Sequence, residues 1–198
     1  MNSKLTTEQY CRYDYWCWDN YFTTSKIKEI NKIIKKNIIA KENPNMAATG
    51  PNNKKIKNLK TEIIFISVIS KFVKPLMEEI RYCNDKNFQY NLHTNSELND
   101  MGNYNTYSSK TKSEYKWHTD NSVDIRFDLK FTVLINLSEQ KYTGGDFKIS
   151  KNEPYTVDRF KKPGSVLMIK SGLNHCVTPV LSGERITFSI PVFGPKWR

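Results

Sequence analysis

The chain has 198 residues, 38% of them hydrophobic and 13% aromatic, and carries a formal charge of +11. That length and composition support one real core and exclude a disordered, collagenous or repeat-built chain. No apolar run nears the ~20 residues that cross a bilayer, so no membrane partner is expected.

Ile27, Ile30, Ile34 and Ile38 recur at helical spacing and predict a helix over 25–41, with Ser25 as N-cap and lysines on the other faces. Residues 42–55, polar with Pro and Gly, read as a loop. A β-branched run predicts a strand over 62–69, and Pro75 predicts the first turn of a second helix that puts Leu76, Ile80 and Cys83 on one face. Residues 88–92 read as a short strand. Residues 94–113, rich in Asn and Ser, read as a solvated loop expected to close over bound substrate.

Farther on, short strands alternate with turns. Phe131, Val133, Ile135 and Leu137 alternate with Thr132, Leu134 and Asn136, the pattern of a half-buried strand. Turns at Gly144-Gly145, Pro163-Gly164 and Ser182-Gly183 set off strands over 146–149, 165–169, 175–180 and 185–192. The fold class expected is mainly β with N-terminal helices (α+β), a sandwich or barrel with jelly-roll architectures among the candidates. The start, MNSKLTTEQYCRYDYW, has no apolar signal-peptide segment. Cys11, Cys17, Cys83 and Cys176 form no C-x-x-C pair, so a reduced, cytoplasmic setting without structural zinc is expected, and Cys176 reads as core.

The chemistry centres on His118-Thr119-Asp120, with His175 and Arg185 downstream. Two of the chain's three histidines fall in this set, and His93 reads as structural. Two imidazoles and one carboxylate can cover one face of an octahedral ion and leave the opposite face open, which suits non-haem Fe(II). The basic excess, concentrated in 26–41 and in KKIKNLK at 54–60, reads first as Lys- and Asn-rich composition of the kind an AT-rich genome imposes. No aromatic-interleaved basic motif accompanies it, so nucleic acid is the second-ranked partner.

YKWHTDN at 115–121, LKFTVLINLSEQKYTGGDFKI at 129–149 and KKPGSVLMIKSGLNHCVTPVLSGERITFSIPVFGP at 161–195 resemble the prolyl-4-hydroxylase-like branch of the Fe(II)/2-oxoglutarate oxygenases. Within it they are most similar to the small bacterial, phage and viral hydroxylases. The resemblance implies a double-stranded β-helix (jelly roll, cupin-like) in a single domain over 1–198, with helix-rich support and first strands in 1–102 and the β-helix core in 103–198. It implies His118, Asp120 and His175 as Fe(II) ligands and 2-oxoglutarate and O2 as cosubstrates, with ascorbate supporting activity. Arg185 would pair with the far carboxylate of 2-oxoglutarate, a task suited to a planar, bidentate cation. Thr187 would add a hydroxyl contact there, and Tyr107 or Tyr115 a phenol. Ile135 stands where several eukaryotic relatives carry a tyrosine to that carboxylate, which implies a pocket completed differently.

The function this implies is hydroxylation of a C–H bond in a protein or peptide, proline first, with succinate and CO2 as coproducts. Two alternatives remain open: the same chemistry on a nucleic acid or small metabolite, or a silent binding module of the same fold. The nucleic-acid case is weakened by Pro191, which stands where the nucleic-acid dealkylases carry a second arginine. The second is weakened by the retention of all three candidate ligands and of Arg185. The location expected is cytoplasmic, the host's if the source is viral or phage.

Overall fold

The computed structural model describes residues 13–41, 56–93, 100–120 and 127–196. In chain order it contains β1 (Tyr15–Trp18), α1 (Thr24–Lys36), β2 (Ala40–Lys41), β3 (Lys57–Asn58), β4 (Lys60–Phe65), α2 (Ser70–Asn87), β5 (Met101–Ser108), β6 (Glu114–His118) and β7 (Phe127–Asn136). There follow β8 (Thr143–Gly144), β9 (Phe147–Ser150), β10 (Pro154–Thr156), β11 (Val166–Lys170), β12 (Asn174–Val177), β13 (Val180–Ser182) and β14 (Glu184–Pro195). A seven-stranded sheet runs β1-β11-β7-β14-β5-β4-β2, and a five-stranded sheet runs β10-β9-β12-β6-β3. The fold is mainly β, a jelly roll of the double-stranded β-helix type, with side chains of both sheets meeting around one interior cavity.

Period-2 alternation explains the layering. On β7, Phe131, Val133 and Ile135 pack under the helices with Ile27, Ile30, Ile34, Leu76 and Ile80. Thr132 and Leu134, on the other face, line the cavity. β11 divides likewise, with Val166 and Met168 toward the helices and Leu167 and Ile169 between the sheets. β7 is thus covered on both faces rather than half-buried. Burying each helix isoleucine contributes roughly 1.5–3 kcal/mol, so the helices form a hydrophobic backing that stiffens the larger sheet. No helix among the described residues is long and apolar enough to cross a membrane.

Several expectations are corrected. The first helix is capped by Thr23, whose hydroxyl accepts the Lys26 N–H at 3.4 Å, and not by Ser25. It ends at Lys36, because the chain then turns to pair β2 with β4. The strand expected over 62–69 stops at Phe65 and continues as a 3-10 turn over Ile66–Ile69. That turn starts the second helix early, so Pro75 lies inside α2 rather than in its first turn. No strand forms over 88–92. The Asn84 side chain there donates to the Tyr90 carbonyl and accepts its N–H, closing a local turn instead of a ladder.

The largest correction concerns residues 94–113. Residues 94–99 lie outside the described residues, as does the loop expected over 42–55. Residues Met101–Ser108, however, are β5, held between β14 and β4 inside the larger sheet. A strand inside a sheet is not a lid. Its polarity has another origin: Asn103, Asn105 and Tyr107 face the cavity, while Tyr104 packs under the helices.

Candidate metal and cosubstrate site

His118 ends β6 and His175 lies on β12, and the two are direct cross-strand partners. The pairing slips between His175 and Val177, so that Val177 opposes Tyr115. This bulge turns both Tyr115 and His118 into the cavity, although they are three residues apart on one strand. Asp120 follows the end of β6, and its N–H donates to the Ser171 carbonyl at 3.0 Å. The donor atoms of His118, Asp120 and His175 all lie within 4.8 Å of one another. Asp120 Oδ1 is 3.5 Å from His118 Nε2, and Oδ2 is 3.6 Å from His175 Nε2.

Each imidazole is prepared in the same way. His118 Nδ1 donates to the Lys116 carbonyl at 2.7 Å, and His175 Nδ1 donates to the Leu173 carbonyl at 2.9 Å. A carbonyl can only accept, so the proton sits on Nδ1 and the Nε2 lone pair faces the cluster. Burial, and next the neighbouring His175, pull the His118 pKa down to about 4. His118 is therefore neutral at pH 7, the state in which imidazole serves as a ligand. Rings hold the pair in place: Tyr115 stacks on His118 with centroids 3.5 Å apart, and Phe147 stacks on His175 at 5.3 Å. Two imidazoles and a carboxylate within reach of one point make a donor set that fits a divalent ion with open positions.

Arg185 lies on β14 in the same cavity, which measures about 400 Å³. It is 2% exposed, and its guanidinium rests over the rings of Tyr107 and Phe160, at 5.0 and 5.5 Å from their centroids. Among the described residues no carboxylate pairs with it. An unpaired buried cation is costly, and an anionic ligand would offset that cost. Tyr107 is the cross-strand partner of Arg185 on β5. Burial raises its pKa, with Arg185 working in the opposite direction, so the phenol keeps its proton at neutral pH.

The sequence-derived candidates thus separate. His118, Asp120 and His175 gather at one point; Arg185, Tyr107 and Thr187 line the same cavity on the larger sheet. Tyr115 also lines it, but its ring lies flat on His118. Ile135 turns away into the core under the helices. The next residue, Asn136, is buried and donates to the Tyr142 hydroxyl at 3.2 Å and to the Phe160 carbonyl at 3.0 Å. Lys57, Asn103, Asn105, Thr132 and Ser189 line the cavity without having been singled out. For Thr132 a signal existed, since strict alternation puts it opposite Phe131 and Val133. For Lys57 none did, because a lysine in a basic stretch reads as solvated.

A family model described as the 2OG-Fe(II) oxygenase superfamily matches residues 102–190, a span that contains all three clustered donors and Arg185. A PKHD-type hydroxylase of Synechococcus sp. (strain CC9605) is 40% identical over 79 residues, covering 39% of this chain and 35% of that protein. The match therefore spans about a third of that relative's length. A prolyl-4-hydroxylase from Pseudomonas putida has the same fold with a TM-score of 0.65 at 13% identity, covering 93% of this chain and 94% of the other. A prolyl hydroxylase from Trichoplax adhaerens, solved with a hypoxia inducible factor peptide fragment, aligns with a TM-score of 0.65 at 16% identity over 91% of this chain and 83% of that one. Residues 102–190 thus resemble the 2OG-Fe(II) oxygenase superfamily, and the solved prolyl hydroxylases share this chain's fold.

Proposed function

We propose that the protein is an Fe(II)- and 2-oxoglutarate-dependent dioxygenase that hydroxylates a C–H bond of a peptide or protein substrate, proline first. The observation that carries this reading is one cavity that holds both a three-donor cluster and a buried arginine without a carboxylate partner. His118, Asp120 and His175 would hold the ion. Bound there, Fe(II) with 2-oxoglutarate and O2 supplies oxidative decarboxylation to succinate and CO2, coupled to hydroxylation of a C–H bond.

The residues do the positioning. Arg185 takes the far carboxylate of 2-oxoglutarate, held over the rings of Tyr107 and Phe160 so that its donors need little ordering on binding. Thr187, 2% exposed and two residues along β14, adds a hydroxyl to the same wall. Beyond it, Asn103 and Ser189 are cross-strand partners that both line the cavity. These uncharged donors and acceptors suit the amides of a peptide. The choice of a peptide is supported by the Trichoplax relative, which binds one, and by the hydroxylase description of the Synechococcus relative.

The test pairs binding with product analysis. Calorimetry should show 2-oxoglutarate binding to Mn(II)-loaded wild type and none to Arg185→Met. With Fe(II), 2-oxoglutarate and ascorbate, proline-containing peptides should gain the mass of one oxygen atom, whereas oligonucleotides should not. Modification of the oligonucleotides alone would replace the peptide reading, and absence of 2-oxoglutarate binding would remove the cosubstrate reading.

A further inference from the structure

Asp120 is the least supported of the three donors. It lies beyond the end of β6, outside the ladder that fixes His118 and His175. Among the described residues its backbone is tied at one point, N–H to the Ser171 carbonyl. Its side chain has a second tether. The Thr132 hydroxyl donates to Asp120 Oδ2 at 2.6 Å, a short bond of the charge-assisted kind. Thr132 is 8% exposed and sits between β11 and β14, paired with Ile169 and Pro191, so it is a rigid anchor.

We propose that Thr132 is a positioning residue that holds Asp120 to one-oxygen donation, engaging Oδ2 and leaving Oδ1 for the ion. This rests on the metal reading above. A carboxylate can bind a cation through one oxygen or through both. With His118, His175 and one oxygen of Asp120, an octahedral ion keeps three positions. With both oxygens it keeps two, and a chelating cosubstrate then fills the centre. The hydroxyl on Oδ2 opposes the second arrangement because that oxygen already accepts a bond from a fixed donor. Thr132 touches neither ion nor cosubstrate in this account; it acts through Asp120.

The experiment compares wild type, Thr132→Val and Thr132→Ser as Co(II)-loaded proteins, read by the visible absorption of the ion and by 2-oxoglutarate titration. Valine matches threonine in shape and lacks the hydroxyl; serine keeps the hydroxyl. Thr132→Val should change the Co(II) spectrum and weaken 2-oxoglutarate binding about 10-fold, because the freed Oδ2 then competes with the cosubstrate for a position on the ion. Thr132→Ser should restore both. If the valine protein does not fold, Thr132→Ala tests the same hydroxyl. A valine variant with wild-type spectrum and 2-oxoglutarate affinity overturns the proposal, as does a serine variant that behaves like valine. Loss of Co(II) binding in the valine variant overturns the one-oxygen role, since Asp120 would then need the hydroxyl to bind at all. Wild type that binds no Co(II) removes the metal reading itself, a result distinguishable from the others.

Discussion

The Tyr115 ring lies on the His118 imidazole, 3.5 Å between centroids and 14° from parallel, although strict alternation would set residues three apart on opposite faces of a strand. The bulge in the β6–β12 pairing makes the stack, and the stack holds the imidazole at the angle the cluster needs. Tyr115→Phe keeps the ring and should cost less stability than removing it. Tyr115→Ala removes it and should cost at least the ~0.5–1.5 kcal/mol of an aromatic pair, together with weaker metal binding. Urea denaturation and a Co(II) titration of both variants check this; equal behaviour of the two would deny the ring a role.

Arg185 should be a group kept for function at the expense of stability. It is buried without a carboxylate partner, so replacing it with an apolar chain of similar length removes a desolvated charge. Arg185→Met is expected to bind 2-oxoglutarate at least 100-fold more weakly, with ligand-free stability unchanged or higher by about 1 kcal/mol. Thermal unfolding of the ligand-free protein reads the second effect. A large loss of stability would mean that the stacking on Tyr107 and Phe160 outweighs the buried charge.

The depressed His118 pKa predicts a pH dependence of the metal-free protein. Its value falls from the ordinary 6.5 to about 4 on folding. Above 6.5 the imidazole is neutral in both the folded and unfolded chain. Between 6.5 and about 4 only the unfolded chain takes up the proton, so stability declines as pH falls through that window. Urea midpoints across that range should drop in wild type and drop less in His118→Gln. Parallel curves for the two proteins would place the titrating group elsewhere.

Gly102 marks a close approach in the core. An added Cβ would lie 2.1 Å from Phe188 Cζ, and Phe188 is fully buried. Gly102→Ala should therefore destabilise by about 1–3 kcal/mol, as overpacking does. Chemical denaturation measures it directly, and a neutral result would mean that Phe188 can move.

The contrast between β7 and β5 shows what could be read from the residues. On β7, one apolar face and a mixed one announced a strand, and the same alternation placed Thr132 and Leu134 on the cavity side. On β5, three residues facing a polar cavity, Asn103, Asn105 and Tyr107, removed the apolar signal, and a central strand read as a loop. The candidate ligands and Arg185 were legible because few residue types do their chemistry. Tyr115 and Thr132 were less so, since one depends on a bulge and the other on a contact between residues twelve apart. Register and bulges are tertiary outcomes that local spacing does not encode.

One cavity, built around His118, Asp120, His175 and Arg185, is proposed to turn over 2-oxoglutarate with Fe(II). Succinate formation in the presence of Fe(II), 2-oxoglutarate and ascorbate tests it most directly, comparing wild type with His118→Ala. Wild type should form succinate, and the folded variant none above background. Equal succinate from both, or none from wild type when a proline-containing peptide is also supplied, would contradict it.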